Sequence, residues 1–405
     1  MFKVAYRNIF LNKRRTIFTM LSISIGCVSL LLALGFITAS YEGLAMNFIS
    51  DSGHLQIFNK NYFVSNDITG GAKIQNPEKI INQIKRFNSV DVVTARMTFS
   101  GLIGNANNTK MMVGEAIVPE EEKKIGLGGF FAPLESGKYF TSSDEDGSII
   151  GQGLADKLKV KPGDYLTILS NTSAGSYNST NVLVTGIVKY SVTEYNDSKV
   201  AVNLTHAQNL LNENSVDNIV ILLNSASNVP KVKKQVTSFI EKNNLPLIVK
   251  SWDEISPYYH QVKALYNRLF TFLVVLIVVI MTFSITNNVM MSVFERFREI
   301  GTIRAIGSNK LKIASLFIYE SAILGILGWI IGVALSYLIS HLIMNMGIMM
   351  PPAPGRTYSY PLSFDIQTSY YYYILIVCIT VSVFSGLFPA MKAGRTEIIN
   401  ALKYV

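Results

Sequence analysis

Four long apolar runs, at 16–41, 269–294, 314–340 and 367–391, punctuate an otherwise mixed chain of 405 residues. Each has about the length a helix needs to cross a bilayer. The first is uncharged from Thr16 to Tyr41 and no small-x-small cleavage pattern follows it, so it reads as a retained span rather than a removed leader. Between the first two runs the pattern shortens. Segments 54–58, 90–104, 110–116, 165–169, 181–192 and 216–223 are β-branched and partly alternating, which predicts strands. Asn76-Pro77-Glu78 supplies an N-cap, an N1 proline and a first-turn acid, predicting a helix to about residue 87. Further helices are expected at 154–158, 205–211 and 229–242. Strands and helices alternate in two separated halves, each able to form a small α/β layer, with a turn- and strand-rich texture between them. Ser251-Trp252-Asp253-Glu254 fits a capping box, and the helix it starts is expected to run into the second span, with Pro257 tolerated in its first turn. The first span is expected to continue through Glu42, Leu44, Ala45 and Phe48, so the two extensions could pair as a stalk.

The segment between the second and third spans is charged. Glu295, Arg296, Arg298, Glu299 and Arg304 sit close together, Ile300, Ile303 and Ile306 recur every three residues, and Gly307-Ser308-Asn309 supplies a stop. This spacing predicts a short amphipathic helix suited to docking onto another protein. Three more patterns accompany R-x-R-E-I-G-x-I-R-A-I-G at 296–307: Y-E-S-x-x-L-G-x-x-G at 319–328, F-P-A-x-x-A at 388–393 and A-x-R-N-I at 5–9. In these the chain resembles the ABC-transporter permeases of the MacB/FtsX superfamily, closest to the lipoprotein-releasing LolC/LolE type.

Composition and charge agree with a protein partly in lipid: 49% hydrophobic, 16% charged, mean hydropathy +0.31. The net charge of +9 is gathered in 1–15, 295–312 and 392–405, all flanking spans. That is the positive-inside pattern, not a nucleic-acid footprint. It predicts a cytoplasmic amphipathic N-terminus (1–15), coupling loop (295–313) and tail (392–405), with 42–268 and the proline-rich loop 341–366 outside. The two cysteines, Cys27 and Cys378, lie in apolar runs, so no disulfide framework is expected.

Little in the chain points to catalysis. No G-x-x-x-x-G-K-[ST] occurs; Gly70-Gly71 and the 126–131 stretch lack its lysine. The four histidines lack metal-ligand spacing, and no nucleophile motif is present. Glu120-Glu121-Glu122 and Asp144-Glu145-Asp146 read as solvated loops. In the spans, Asn287 and Asn288 near the inner end of the second and Glu320 near the inner end of the third are the polar residues to place. Gly328-x-x-x-Gly332 and Ser382-x-x-x-Gly386 read as helix-packing faces.

The resemblance implies a polytopic α-helical membrane protein with four transmembrane helices and a large α+β extracytoplasmic domain between helices 1 and 2. That domain would comprise an α/β subdomain (50–118 and 204–250), an inserted β-rich subdomain (119–203) and a stalk helix (252–268). It implies a non-catalytic permease in the bacterial inner membrane, its large domain in the periplasm, working by mechanotransmission and extracting lipoproteins for delivery to the outer membrane. An efflux or peptide-export permease, or an FtsX-like regulator of a cell-wall hydrolase, are the alternatives. The implied partners are a dimeric ABC ATP-binding subunit carrying ATP and Mg, a second permease, identical or homologous, and periplasmic cargo. The coupling residues would be Arg296, Arg298, Glu299, Ile300, Gly301, Ile303, Arg304, Ile306 and Gly307, with the isoleucines as anchors. No catalytic residue, metal or cofactor is expected on this chain.

Overall fold

Residues 7, 13–63, 72–126, 132–190, 192–351 and 359–395 are described by a computed structural model. They form two units. One comprises residues 1–42, 262–350 and 361–405, the other 43–261 and 351–360.

The four apolar runs are helices, and Thr16–Ser52, Tyr259–Glu295, Lys310–Asn345 and Thr368–Lys392 are long and apolar enough to cross a membrane. Ile23, Cys27, Leu30, Met281, Ile285 and Cys378 are among the residues of their shared core. The two small-residue faces lie where they allow close approach. A Cβ on Gly328 would fall 2.6 Å from Ile23 Cβ, one on Gly332 2.6 Å from Cys27 Cβ, and one on Gly386 2.5 Å from Ser321 Oγ. Helices meet through small residues here because packing, not the hydrophobic effect, drives their association in lipid. Trp329 Nε1 donates to the Tyr371 carbonyl at 3.1 Å and Ser24 Oγ to the Gly328 carbonyl at 2.9 Å.

The second unit is built on ten strands: β1 Leu55–Asn59, β2 Val90–Gly104, β3 Thr109–Ile117, β4 Leu134–Gly137, β5 Gly147–Gly151, β6 Tyr165–Asn171, β7 Tyr177–Val188, β8 Lys199–Asn203, β9 Asn218–Leu223 and β10 Leu247–Ser251. β10, β1, β9 and the first half of β2 form a small sheet. The helices Pro77–Ile84 and Val229–Lys242 cover it, with Ile57, Ile80, Ile221 and Val236 in the core between. The second half of β2 changes partners. It pairs with β3 and with β6, and the ladders β3–β8, β8–β5, β5–β7 and β7–β6 close a six-stranded barrel. Closure removes the free edges that an open sheet would expose. β6 shows the pattern that makes this possible: Tyr165, Thr167, Leu169 and Asn171 face out while Leu166, Ile168 and Ser170 face in.

Two boundaries differ from the sequence reading. The β-rich insertion does not begin at 119. The barrel takes β2 from Met97 and all of β3, and Ala207, Leu210 and Leu211 of the helix Leu204–Leu211 pack into its core. A strand of 15 residues can serve two sheets, and its composition does not change where it switches. The expected stalk helix 252–268 is also broken. Trp252–Ile255 stops at Ser256, at φ −106° and ψ 87°, and a new helix starts at Pro257. The proline ring disfavours helical geometry in the residue before it, so the capping box starts one short turn and Pro257 begins the next helix.

Candidate functional site

The charged segment between the second and third membrane helices folds as a short helix, Phe297–Ala305, set off from its predecessor by the non-helical backbone of Arg296. Gly307, at φ +98°, ends it, and the Ser308 N–H reaches back to the Ile303 carbonyl at 3.3 Å. Glu299 in the first turn and Arg304 in the last both suit the helix dipole.

The expected single isoleucine face is split. Ile300 is buried against Val293, Ile313, Phe317 and Ala390 of its own chain, Ile303 is half-buried, and Ile306 is 83% exposed. The reason is geometric. At 3.6 residues per turn, two steps of three residues rotate about 120° around the axis, so Ile306 cannot share a face with Ile300. The loop therefore turns Arg296, Ile300 and Gly301 inward, leaves Ile303 and Arg304 at the rim, and presents Arg298, Glu299, Ile306 and Gly307 outward.

Arg296 and Glu320, which the sequence placed in a loop and in a span respectively, meet. Arg296 Nη1 lies 3.3 Å from Glu320 Oε2, with side chains 9% and 5% exposed, and Arg296 Nε lies 3.9 Å from Glu299. Glu320 lines a small polar recess together with Thr19, Asn288, Ser292 and Ser321. Asn288 donates to Ser22 Oγ at 3.4 Å, and Ser284 Oγ lies 3.0 Å from the same hydroxyl, so the first two membrane helices share polar contacts. Asn287 stays exposed and joins none of this. The missed signal was the opposite charge of two motif residues at the two ends of the connection, 296 and 320.

Outside the membrane helices the second unit holds a buried ionic cluster that sequence reasoning did not assemble. Arg96 on β2 forks onto Glu122, Nε and Nη2 each 2.7 Å from a carboxylate oxygen, and its Nη1 lies 3.6 Å from Glu115. Lys199 on β8 donates to Glu115 at 2.6 Å and sits 5.1 and 5.0 Å from the ring centres of Tyr190 and Tyr195. Burial alone would raise the Glu115 carboxyl, but Lys199 and Arg96 outweigh it and hold the group below its ordinary range. Burial pushes Glu122 up, against the Arg96 fork. Burial likewise opposes the charges on Arg96 and Lys199, and the facing carboxylates more than offset it, so both are held above their usual range. Glu120-Glu121-Glu122 is thus not a solvated loop. It opens the helix Pro119–Ile125, with Glu120 exposed, Glu121 half-buried against Lys85 and Glu122 fully inward. Three-residue acid runs carry no hint of which member turns in.

Among the described residues no group of three or more His, Cys, Asp or Glu could hold a metal ion. The features in place are a short helix with Arg298, Glu299 and Ile306 exposed, a buried charge pair at its start, and a clustered set of charges in the second unit.

Comparison with known proteins covers both units. Residues 16–239 match the family described as MacB-like periplasmic core domain, and residues 271–398 match FtsX-like permease C-terminal. An uncharacterized ABC transporter permease of Methanocaldococcus jannaschii is 23% identical over 67% of this chain and 65% of its own length. ABC transporter permease YtrF of Bacillus subtilis is 37% identical over 31% of this chain and 30% of its own length. The lipoprotein-releasing system transmembrane protein LolC of Neisseria meningitidis is 23% identical over 75% of each. The chain thus spans less than two thirds of the length of the first two relatives and three quarters of the third.

Proposed function

The chain belongs to the MacB/FtsX superfamily of ABC-transporter permeases, as a multi-pass inner-membrane protein with a large periplasmic domain between its first and second membrane helices, and from that premise we propose that it couples a separate ATP-binding subunit to cargo handling outside the membrane. Members of this family work with ATP-binding subunits, and the sequence carries no phosphate-binding loop of its own. The observation that carries the proposal is the helix Phe297–Ala305, which is anchored inward by Ile300 and Arg296 and offers Arg298, Glu299 and Ile306 outward. Ile306 supplies an apolar knob, Arg298 and Glu299 orient the contact, and Ile303 and Arg304 form its edge. Closure of two ATP-loaded subunits presses on this surface, and the movement passes through the membrane helices to the outer domain.

For cargo, lipoprotein extraction toward the outer membrane is the first reading, supported by the likeness to a LolC protein across three quarters of the chain. Efflux or peptide export is the second, supported by 24% identity over 67% of this chain to a macrolide export ATP-binding/permease protein MacB. An FtsX-like regulatory role is the third.

The test is gentle solubilisation of a C-terminally tagged chain, with identification of what co-purifies. An ABC ATPase with bound lipoproteins supports the first reading. An ATPase with an export adaptor favours the second, and a cell-wall hydrolase the third. Recovery without any ATPase, under conditions that preserve other transporter complexes, refutes the coupling proposal. Glu299→Lys and Ile306→Asp should each lower ATPase recovery at least tenfold, whereas Gly43→Ala should not.

A further inference from the structure

The helix Lys13–Ser52 ends within the second unit, and its last carbonyls lack partners within the helix. Gly53, at φ +69°, turns the chain into β1, and a Cβ there would fall 2.5 Å from Val220 Cγ1. Arg96 reaches the same helix end: its Nη1 donates to the Asp51 carbonyl while its other nitrogens hold Glu122. A guanidinium at a helix C-terminus is favoured by the partial negative charge there, and a planar fork can satisfy a carboxylate and a carbonyl at once.

Arg96 also occupies the position at which β2 leaves the small sheet, being the last residue paired to β9 and the one before the β3 ladder begins at Met97. From it the network runs to Glu115 on β3 and Lys199 on β8, two strands of the barrel wall, with side chains between 1% and 15% exposed. Buried ionic groups of this kind are often replaceable by apolar residues without loss of stability, so stability alone does not account for a four-membered buried cluster whose arginine also holds a helix end.

We propose that Arg96 is a positioning residue, the link that clamps the C-terminal end of the first membrane helix to the barrel so that displacement of the helix is delivered to the barrel wall. The role of this link in transport rests on the coupling function proposed above; the clamp itself does not. Glu122 fixes the plane of the guanidinium, Glu115 and Lys199 carry the contact into β3 and β8, and the Asp51 carbonyl is the point gripped.

The test uses the full-length chain with Cys27 and Cys378 replaced by alanine and spin labels at the exposed positions 46 and 111, one on the helix end and one on β3. Double electron–electron resonance should give a narrow distance distribution for Arg96, at least twice as broad in Arg96→Met/Glu122→Met. In Arg96→Lys, which keeps the charge and loses the fork, the width should be intermediate. In proteoliposomes with the ATPase, release of a fluorescent triacylated lipoprotein should fall at least tenfold in the double variant and partly in Arg96→Lys, with ATP hydrolysis within twofold of the parent and melting within a few degrees. Distributions as narrow as the parent's in both variants overturn the clamp. Broadening with undiminished release overturns its role in coupling. Absence of ATP-dependent release by the parent chain sinks the transport reading alone, because the distance measurement does not depend on it.

Discussion

Removing Glu320 should damage the membrane unit far more than removing Glu320 and Arg296 together. The two side chains are 3.3 Å apart at Nη1 and Oε2 and at most 9% exposed. Loss of one member of such a pair leaves a charge in a poorly solvated place, at a cost of about 3–5 kcal/mol, whereas replacing both with apolar residues of similar volume is commonly near neutral. Glu320→Met should therefore destabilise by about 3–5 kcal/mol, Arg296→Met by a similar amount, and the double variant by about 1 kcal/mol or less. The coupling energy of the cycle would exceed about 4 kcal/mol, well beyond the few tenths expected of independent sites. Glu299, 3.9 Å from Arg296 and 59% exposed, adds little because water screens it. The assay is equilibrium unfolding in mixed detergent micelles, followed by tryptophan fluorescence. If the double variant is as unstable as the sum of the singles, the pair does not act as a unit and the bracing of the loop helix by Glu320 is refuted.

Glycine contacts set a second contrast: Gly332→Ala should destabilise by about 1–3 kcal/mol because its Cβ meets Cys27, while Gly43→Ala, with nothing within 4 Å, should stabilise by up to about 1 kcal/mol, both read by detergent melting. Gly53→Val combines a positive φ with a 2.5 Å clash and should lower the yield of folded protein, measured by fluorescence-detected size exclusion. For acid sensitivity, burial would raise Glu213, but Lys73, at 2.6 Å, and Ser215 outweigh it and lower its pKa from about 4.5. The pair's contribution is thus complete above about pH 4.5 and lost as pH falls through the lowered folded value. Lys73→Met should melt lower than the parent at pH 7 and converge with it at the acid end of a pH 7 to 3 series.

How much of this was legible depended on how local the cause was. Spans were legible because lipid imposes a length and an apolar composition on each helix separately. Gly328 and Gly332 were legible for the same reason: spacing of four on one helix is a property of that helix. The capping residue Ser251 was found, but the turn it starts ended at Ser256 because the effect of Pro257 on its predecessor outweighed the cap. Barrel closure was not legible. It depends on β6 reaching β2 across some 65 residues of chain, and nothing in the alternation of β6 names its partner.

The site shows the same division more sharply. Charge, glycine and period predict the loop helix and its ends, yet a three-residue repeat does not make a face, because the helix turns each step about 60° backwards. Ile300 then falls inside and Ile306 outside: one packs the helix against its own chain, and the other is left exposed, where the proposed docking would use it. Charges followed a parallel course. By its sequence neighbours Arg296 belongs to a loop, Glu320 to a membrane span and Glu122 to a solvated run, and nothing around Arg96 distinguishes it. Folding brings these into buried pairs, and both pairs sit where a helix ends: Arg296 at the break after the second membrane helix, and Arg96, from β2, against the last turn of the first. Helix ends are where backbone groups lack partners and an arginine can serve a carboxylate and the backbone together. A buried arginine beside a helix terminus is therefore the feature to seek in this fold, and sequence period alone will not show it.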